Sequence, residues 1–207
     1  MAFSDYRKYT ATELRRMFQV EIKHDANLFE GFTPSGETYA NLQRDITKIS
    51  SRLRFSKYDN EATRGGLIVS RVLWQAGDIY DLGVFLEPPV SLQKNIPLDL
   101  PHPLSGSYDG ALSLDAIDFD TPIISVVEVK RSSLSDGFGQ CLAEMYTTLQ
   151  VFQQEKVYGI VTDGDLWEFL LLEDSVVSVD IDNYPVKNVA DIVDRIGYIA
   201  SLFDRSR

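Results

Sequence analysis

Soft metal ligands and basic residues are both scarce in this chain of 207 residues. The single cysteine, Cys141, excludes an intramolecular disulfide framework and any cysteine-rich zinc site. Two histidines, His24 and His102, are too few for most transition-metal sites. No apolar run approaches the ~18 residues that span a bilayer, and the opening MAFSDYRKYT lacks the apolar core of a secretory leader. A cytoplasmic protein with no membrane contact is therefore expected. Hydrophobic residues make up 44% and aromatics 11%, enough to build a core and to exclude wholesale disorder. The length suits one domain, read as a helical N-terminal extension over 1–54 and a core over 55–207.

Charge is unevenly spread. Lys and Arg number 20 against 31 Asp and Glu, for a formal net charge of -11, which opposes nonspecific nucleic-acid binding by the chain as a whole. Residues 1–71 nevertheless hold 12 basic and 9 acidic residues. Within them Arg44, Lys48, Arg52, Arg54, Lys57, Arg64 and Arg71 face only Asp45, Asp59 and Glu61. This stretch reads either as an anion-facing side or as a solvated helical surface.

Period and punctuation sketch an α/β domain. Thr12 is the expected cap of a first helix through Leu14, Met17 and Phe18, and Glu37 to Leu53 reads as a second. A third starts after Asp59-Asn60 and must either begin past Gly65-Gly66 or admit a close backbone approach there. Asp81 to Leu92 reads as extended, and Pro97, Pro101 and Pro103 mark a loop. Strands are expected over Ser107–Leu114, Ile123–Lys130, Val157–Val161, Trp167–Leu172 and Val176–Ile181. Helices are expected from Gly137 through Phe152 and from Val189 to Phe203. Trp74, Trp167 and Cys141 read as core, His102 as surface, and Asp136 as a helix cap.

The chemistry concentrates in one strand. Alternation puts Glu128 and Lys130 on one face, behind Ile124 and Val126. Alone, the pair reads as an ion pair closing a strand end. Asp109, however, lies in a strand that hairpins back onto this one through LDAIDFDTP. Two adjacent carboxylates repel, and a hard cation relieves that repulsion. Asp109, Glu128 and the Val129 carbonyl form such a donor set for Mg²⁺, with Mn²⁺ as a substitute. Lys130 would orient or deprotonate the nucleophile, or neutralise charge developing on a phosphate. These are parts for metal-assisted phosphodiester hydrolysis.

Asp109 followed by Glu128-Val129-Lys130 resembles the core of the PD-(D/E)XK nuclease superfamily, the restriction-endonuclease-like fold. The helix GFGQCLAEM from Gly137 to Met145 is similar to the helix in which family members carry a glutamine facing the metal site, here Gln140. The stretch from Val157 to Gly164, followed by Trp167-Glu168-Phe169, resembles later strands of small members of this group. The resemblance covers about residues 55–205. It implies a mixed sheet of four to five strands flanked by helices, with the site at one sheet edge. Gly66 stands where the family places a helix glutamate, and Glu61, more than a turn earlier, is the remaining candidate ligand.

Two main functions follow, with an enzyme acting on small phosphate compounds through the same metal site as a third. One is a Mg²⁺-dependent nuclease cutting DNA, with Asp109, Glu128, Lys130 and Gln140 catalytic and the Arg44–Arg71 stretch facing phosphates. The other is a nuclease-fold protein without turnover, acting as a binding or regulatory module. A second copy of the chain or another protein is the alternative partner. Ser132-Ser133, after Arg131, reads as a phosphate contact or a solvated loop.

Overall fold

The computed structural model describes residues 3–92, 98–131 and 133–203, so Pro97 and Ser132 lie outside the described residues. The strands are β1 (Glu21–Ala26), β2 (Gly83–Leu86), β3 (Pro89–Ser91), β4 (Ser105–Ser107), β5 (Gly110–Ser113), β6 (Ile123–Val129), β7 (Lys156–Thr162), β8 (Leu166–Glu173) and β9 (Val176–Pro185). The helices are α1 (Ala11–Phe18), α2 (Ala40–Leu53), α3 (Glu61–Arg64), α4 (Ser70–Tyr80), α5 (Ser135–Phe152) and α6 (Val189–Ser201).

Seven strands form one open mixed sheet in the order β1-β9-β8-β7-β6-β5-β2, and β3 pairs with β4 separately. The expected four to five strands are too few, because the sheet grows at both ends. β1 pairs parallel to β9 at one edge and β2 pairs antiparallel to β5 at the other. The N-terminal quarter is thus not a purely helical extension; it supplies an edge strand.

Helices cover both faces, giving two cores. On one side Leu42, Ile46, Val72, Leu73, Ile192 and Ile196 from α2, α4 and α6 pack on Ile124, Val127 and Val129 of β6. On the other, Phe3, Tyr6, Leu14 and Leu142 pack with Val126, Val161 and Leu170. Each fully buried aliphatic side chain contributes about 1.5–3 kcal/mol, so β6, buried along its whole length, anchors the sheet. Ile124 does not share a face with Val126. The β5–β6 register shifts between Leu112↔Ser125 and Ser113↔Ile123, and the extra residue turns Ile124 to the opposite core.

Local corrections have local causes. Thr10, not Thr12, caps α1, in a reciprocal capping box with Glu13. Of Asp59 and Asn60, it is Asn60 that caps α3, its side chain accepting from the Thr63 N–H at 2.9 Å. At Gly65-Gly66 the helix neither starts late nor meets a backbone. Residues Gly65–Val69 form a π turn between α3 and α4. Leu134 precedes α5 and Asp136 falls inside its first turn, so Asp136 is not the cap. Trp74 is 68% exposed rather than core, whereas Trp167 is buried. His102 is partly buried: its carbonyl accepts from Tyr6 Oη at 2.6 Å, and its Nε2 lies 3.1 Å from Tyr9 Oη. Among the described residues no helix is long and apolar enough to cross a membrane.

Candidate functional site

Strand pairing brings the sequence-predicted residues together. The β5–β6 ladder reaches Gly110↔Val127, and Asp109 sits one residue beyond it, next to Glu128 and Val129. Its Oδ2 accepts the Val129 N–H at 2.7 Å. The neighbouring Tyr108 ring holds this corner in place. It is fully buried, and its hydroxyl lies 2.9 Å from Thr148 Oγ1 on α5. The strands that carry the site, β5 and β6, are interior; the site lies at their ends and not on an edge strand of the sheet.

Lys130 leaves β6 with its N–H donating to the Thr162 carbonyl at 2.7 Å. Its ammonium donates to Glu128 Oε1 and, at 3.2 Å, to Gln140 Oε1. Gln140 in turn donates through Nε2 to Glu144 Oε1 at 3.1 Å. All four side chains are buried. A buried chain of this kind runs from amine to amide to acid, and each member fixes the next.

Helix α5 reaches these groups because Gly137 has no side chain. A Cβ there would lie 2.5 Å from Val161 Cγ1, 3.2 Å from Lys130 Cγ and 3.5 Å from Glu128 Cγ. Glycine is the residue that permits this helix to rest on the Glu128–Lys130 pair.

Burial sets the electrostatics. It pushes Glu128 up to about 7, aided by the charge of Asp109 and opposed by Lys130. It pushes Glu144 well above the usual carboxylate range, with Glu128 adding to the shift, which favours its neutral form. Burial disfavours the Lys130 charge, but Glu128, Glu61 and Asp109 outweigh it and hold the ammonium above its ordinary value. Asp109 opens to solvent on one side while protein crowds its carboxyl from the other. The crowding raises its pKa, and the Val129 N–H and Lys130 oppose the rise without cancelling it.

Two clefts meet the site. The first, of about 540 Å³, is lined by Asp109 and Val129 together with Glu61, Gly65, Gly66 and Glu87. The second, of about 420 Å³, is lined by Lys130, Glu61, Arg7, Lys8 and Arg131. Glu61 borders both, and its charge acts on Asp109 and Lys130. Gly66, where the family resemblance places a glutamate, lines the first cleft and has no atom within 4 Å of where a Cβ would stand.

Among the described residues no three Asp, Glu, His or Cys side chains form a metal-holding group. The donors the sequence points to are two carboxylates and a carbonyl. Glu128 Oε2 is buried without a hydrogen-bond donor. The set is all oxygen, the donor type of Mg²⁺, which takes one or two carboxylates and completes its shell with water and phosphate; Asp109 and Val129 line the first cleft, whereas Glu128 lies beneath it.

Sequence reasoning missed Glu144. Its position four residues after Gln140 puts both on one helix face, a spacing visible in the sequence. The basic stretch is also less uniform than it reads. Arg64 is committed to Asp59 through Nε at 2.6 Å and Nη2 at 2.9 Å, and to Asp165 and the Asp163 carbonyl through Nη1. It is a structural anchor. Arg44, Lys48, Arg52, Arg54, Lys57 and Arg71 are exposed.

The chain matches no protein-family model, and no curated protein is significantly similar to it.

Proposed function

We propose that this protein is a nuclease of the PD-(D/E)XK type that hydrolyses phosphodiester bonds in DNA with the help of Mg²⁺ or Mn²⁺. The observation that carries this reading is the meeting of Asp109, Glu128 and Lys130 at the ends of β5 and β6, with Lys130 steered by Gln140. Asp109, Glu128 and the Val129 carbonyl would hold the cation, with Glu61 at the cleft rim. When bound, the cation supplies Lewis-acid polarisation of the phosphate. Lys130 holds its proton at Nζ beside the reacting phosphate and offsets the negative charge that grows there. Gln140 and Glu144 keep that amine from swinging away. Arg7, Lys8 and Arg131 on the second cleft would attract the phosphate backbone.

A second reading has its own observation. The Lys130 ammonium already neutralises Glu128, as in a nuclease fold that has lost turnover and serves as a binding module. Incubating the protein with supercoiled plasmid and with a single-stranded oligonucleotide, in Mg²⁺, Mn²⁺ or EDTA, separates the two. The nuclease reading requires metal-dependent cleavage that disappears in Asp109→Ala, Glu128→Ala and Lys130→Ala. Absence of cleavage, or cleavage indifferent to these changes, leaves the binding module.

A further inference from the structure

The segment that joins α2 to α3 displays two aromatic rings to water. Phe55 is 86% and Tyr58 74% exposed, while Leu53 before them is buried. The rings do not hang on a loose loop. The Phe55 N–H donates to the Arg52 carbonyl, the Ser56 N–H to the Leu53 carbonyl at 2.8 Å, and the Tyr58 N–H to Ser56 Oγ at 3.1 Å. Asp59 then closes the segment on the Arg64 guanidinium.

Basic residues flank the rings along the chain, with Asp59 directly after them. Arg44, Lys48 and Arg52 recur every four residues and so form one ridge along α2, which ends in Arg54 and Lys57 among the aromatics. Asp45 is the one acidic residue between positions 44 and 58. Among the described residues Lys48, Arg52, Arg54 and Lys57 make no ion pair within 4.0 Å, and Arg44 reaches Asp45 only at 3.9 Å across an exposed surface. Unpaired cations interleaved with exposed rings match a strand whose phosphates are negative and whose bases have free faces. A duplex offers the phosphates but keeps its base faces stacked inside. Three residues after Tyr58 comes Glu61, on the rim of both clefts at the candidate site.

We propose that Phe55 and Tyr58 form a stacking platform for unpaired bases, so that single-stranded DNA is held along the α2 ridge and led toward Asp109. The choice of DNA rests on the nuclease reading above; the platform itself rests on the rings and the ridge.

The test is fluorescence anisotropy in EDTA, which keeps binding independent of any metal. The probes are a labelled oligo(dT) of about 20 nucleotides and a hairpin duplex of equal length. Wild type binds oligo(dT) more tightly than the hairpin, and added salt weakens both. Phe55→Ala and Tyr58→Ala each weaken oligo(dT) binding about tenfold, whereas Phe55→Trp retains it. Lys57→Gln lowers affinity for both probes and flattens the salt dependence. The proposal is overturned if the hairpin binds as well as oligo(dT), if ring removal leaves affinity unchanged, or if neither probe binds. It is also overturned if light scattering shows that the rings drive self-association instead. Ring-dependent binding without metal-dependent cleavage keeps the platform and ends the nuclease reading; cleavage without ring dependence does the reverse.

Discussion

Glu128 and Glu144, one on β6 and one on α5, each bury an Oε2 that no hydrogen-bond donor reaches. One proton on Glu144 relieves both, since a carboxylic acid donates where a carboxylate only accepts. Burial thus favours the neutral form of Glu144, and the titration of its neighbour Glu128 contributes to the pH response of the fold.

The sign follows from linkage. Glu128 is raised from an ordinary 4.5 to about 7 by burial first and Asp109 second. The folded protein thus holds a proton that the unfolded chain releases. Stability from this group is full below the unfolded value and is lost as pH rises through about 7. Urea unfolding at about pH 5 should exceed that at about pH 8.5 by on the order of 2–3 kcal/mol from this site. Glu144→Gln replaces the proton with an amide donor that favours charged Glu128, so its stability should vary much less over the same range.

Lys130→Met leaves a buried carboxylate without its cation. A loss of about 3–5 kcal/mol is expected in chemical denaturation. Adding Glu128→Gln should restore most of that stability and none of the cleavage. Cleavage surviving in the double variant would remove these residues from the chemistry.

Millimolar Mg²⁺ or Mn²⁺ should raise the melting temperature by about 2–6 °C through preferential binding to the folded state. Asp109→Asn, at a cleft-facing position, should abolish the rise while leaving the metal-free melting temperature close to wild type. Differential scanning fluorimetry reads both.

Two glycines should answer alanine in opposite ways. Gly137→Ala drives a methyl to 2.5 Å from Val161 Cγ1 and against Lys130; it should cost about 1–3 kcal/mol and depress cleavage without removing a ligand. Gly66→Ala meets nothing within 4 Å and should be neutral or stabilising by up to about 1 kcal/mol. Thermal melts and cleavage rates of the two variants, measured side by side, check this.

Legibility in the sequence followed periodicity. Between Ile123 and Ile181 the strands and the helix were legible because they carry strong apolar patterns between clear turns, but the bulge that turns Ile124 away from Val126 and the start of α5 after Leu134 were not. The two-residue spacing of Glu128 and Lys130 was enough by itself to set them on one face. β1 escaped because Glu21–Ala26 holds a single large aliphatic residue, Ile22, and is mostly exposed at the sheet edge. Trp74 misled for a related reason: Val72, Leu73 and Ala76 bury one side of α4, and the next residue round the helix is carried outward. Glu144 drew no notice because a lone acid in an apolar helix acquires meaning only through the Gln140 above it. The commitment of Arg64 was invisible, since Asp163 and Asp165 lie about a hundred residues away and only folding brings them near.

The π turn at Gly65–Val69 inserts one surplus residue into an otherwise continuous helical rod. Everything upstream is thereby rotated by about 100° relative to a regular α-helix. Deleting a single glycine would swing Glu61 off the cleft rim while α4 kept its seat on the sheet. The angular phase of that acid is thus adjustable by one codon, independently of the core that supports it.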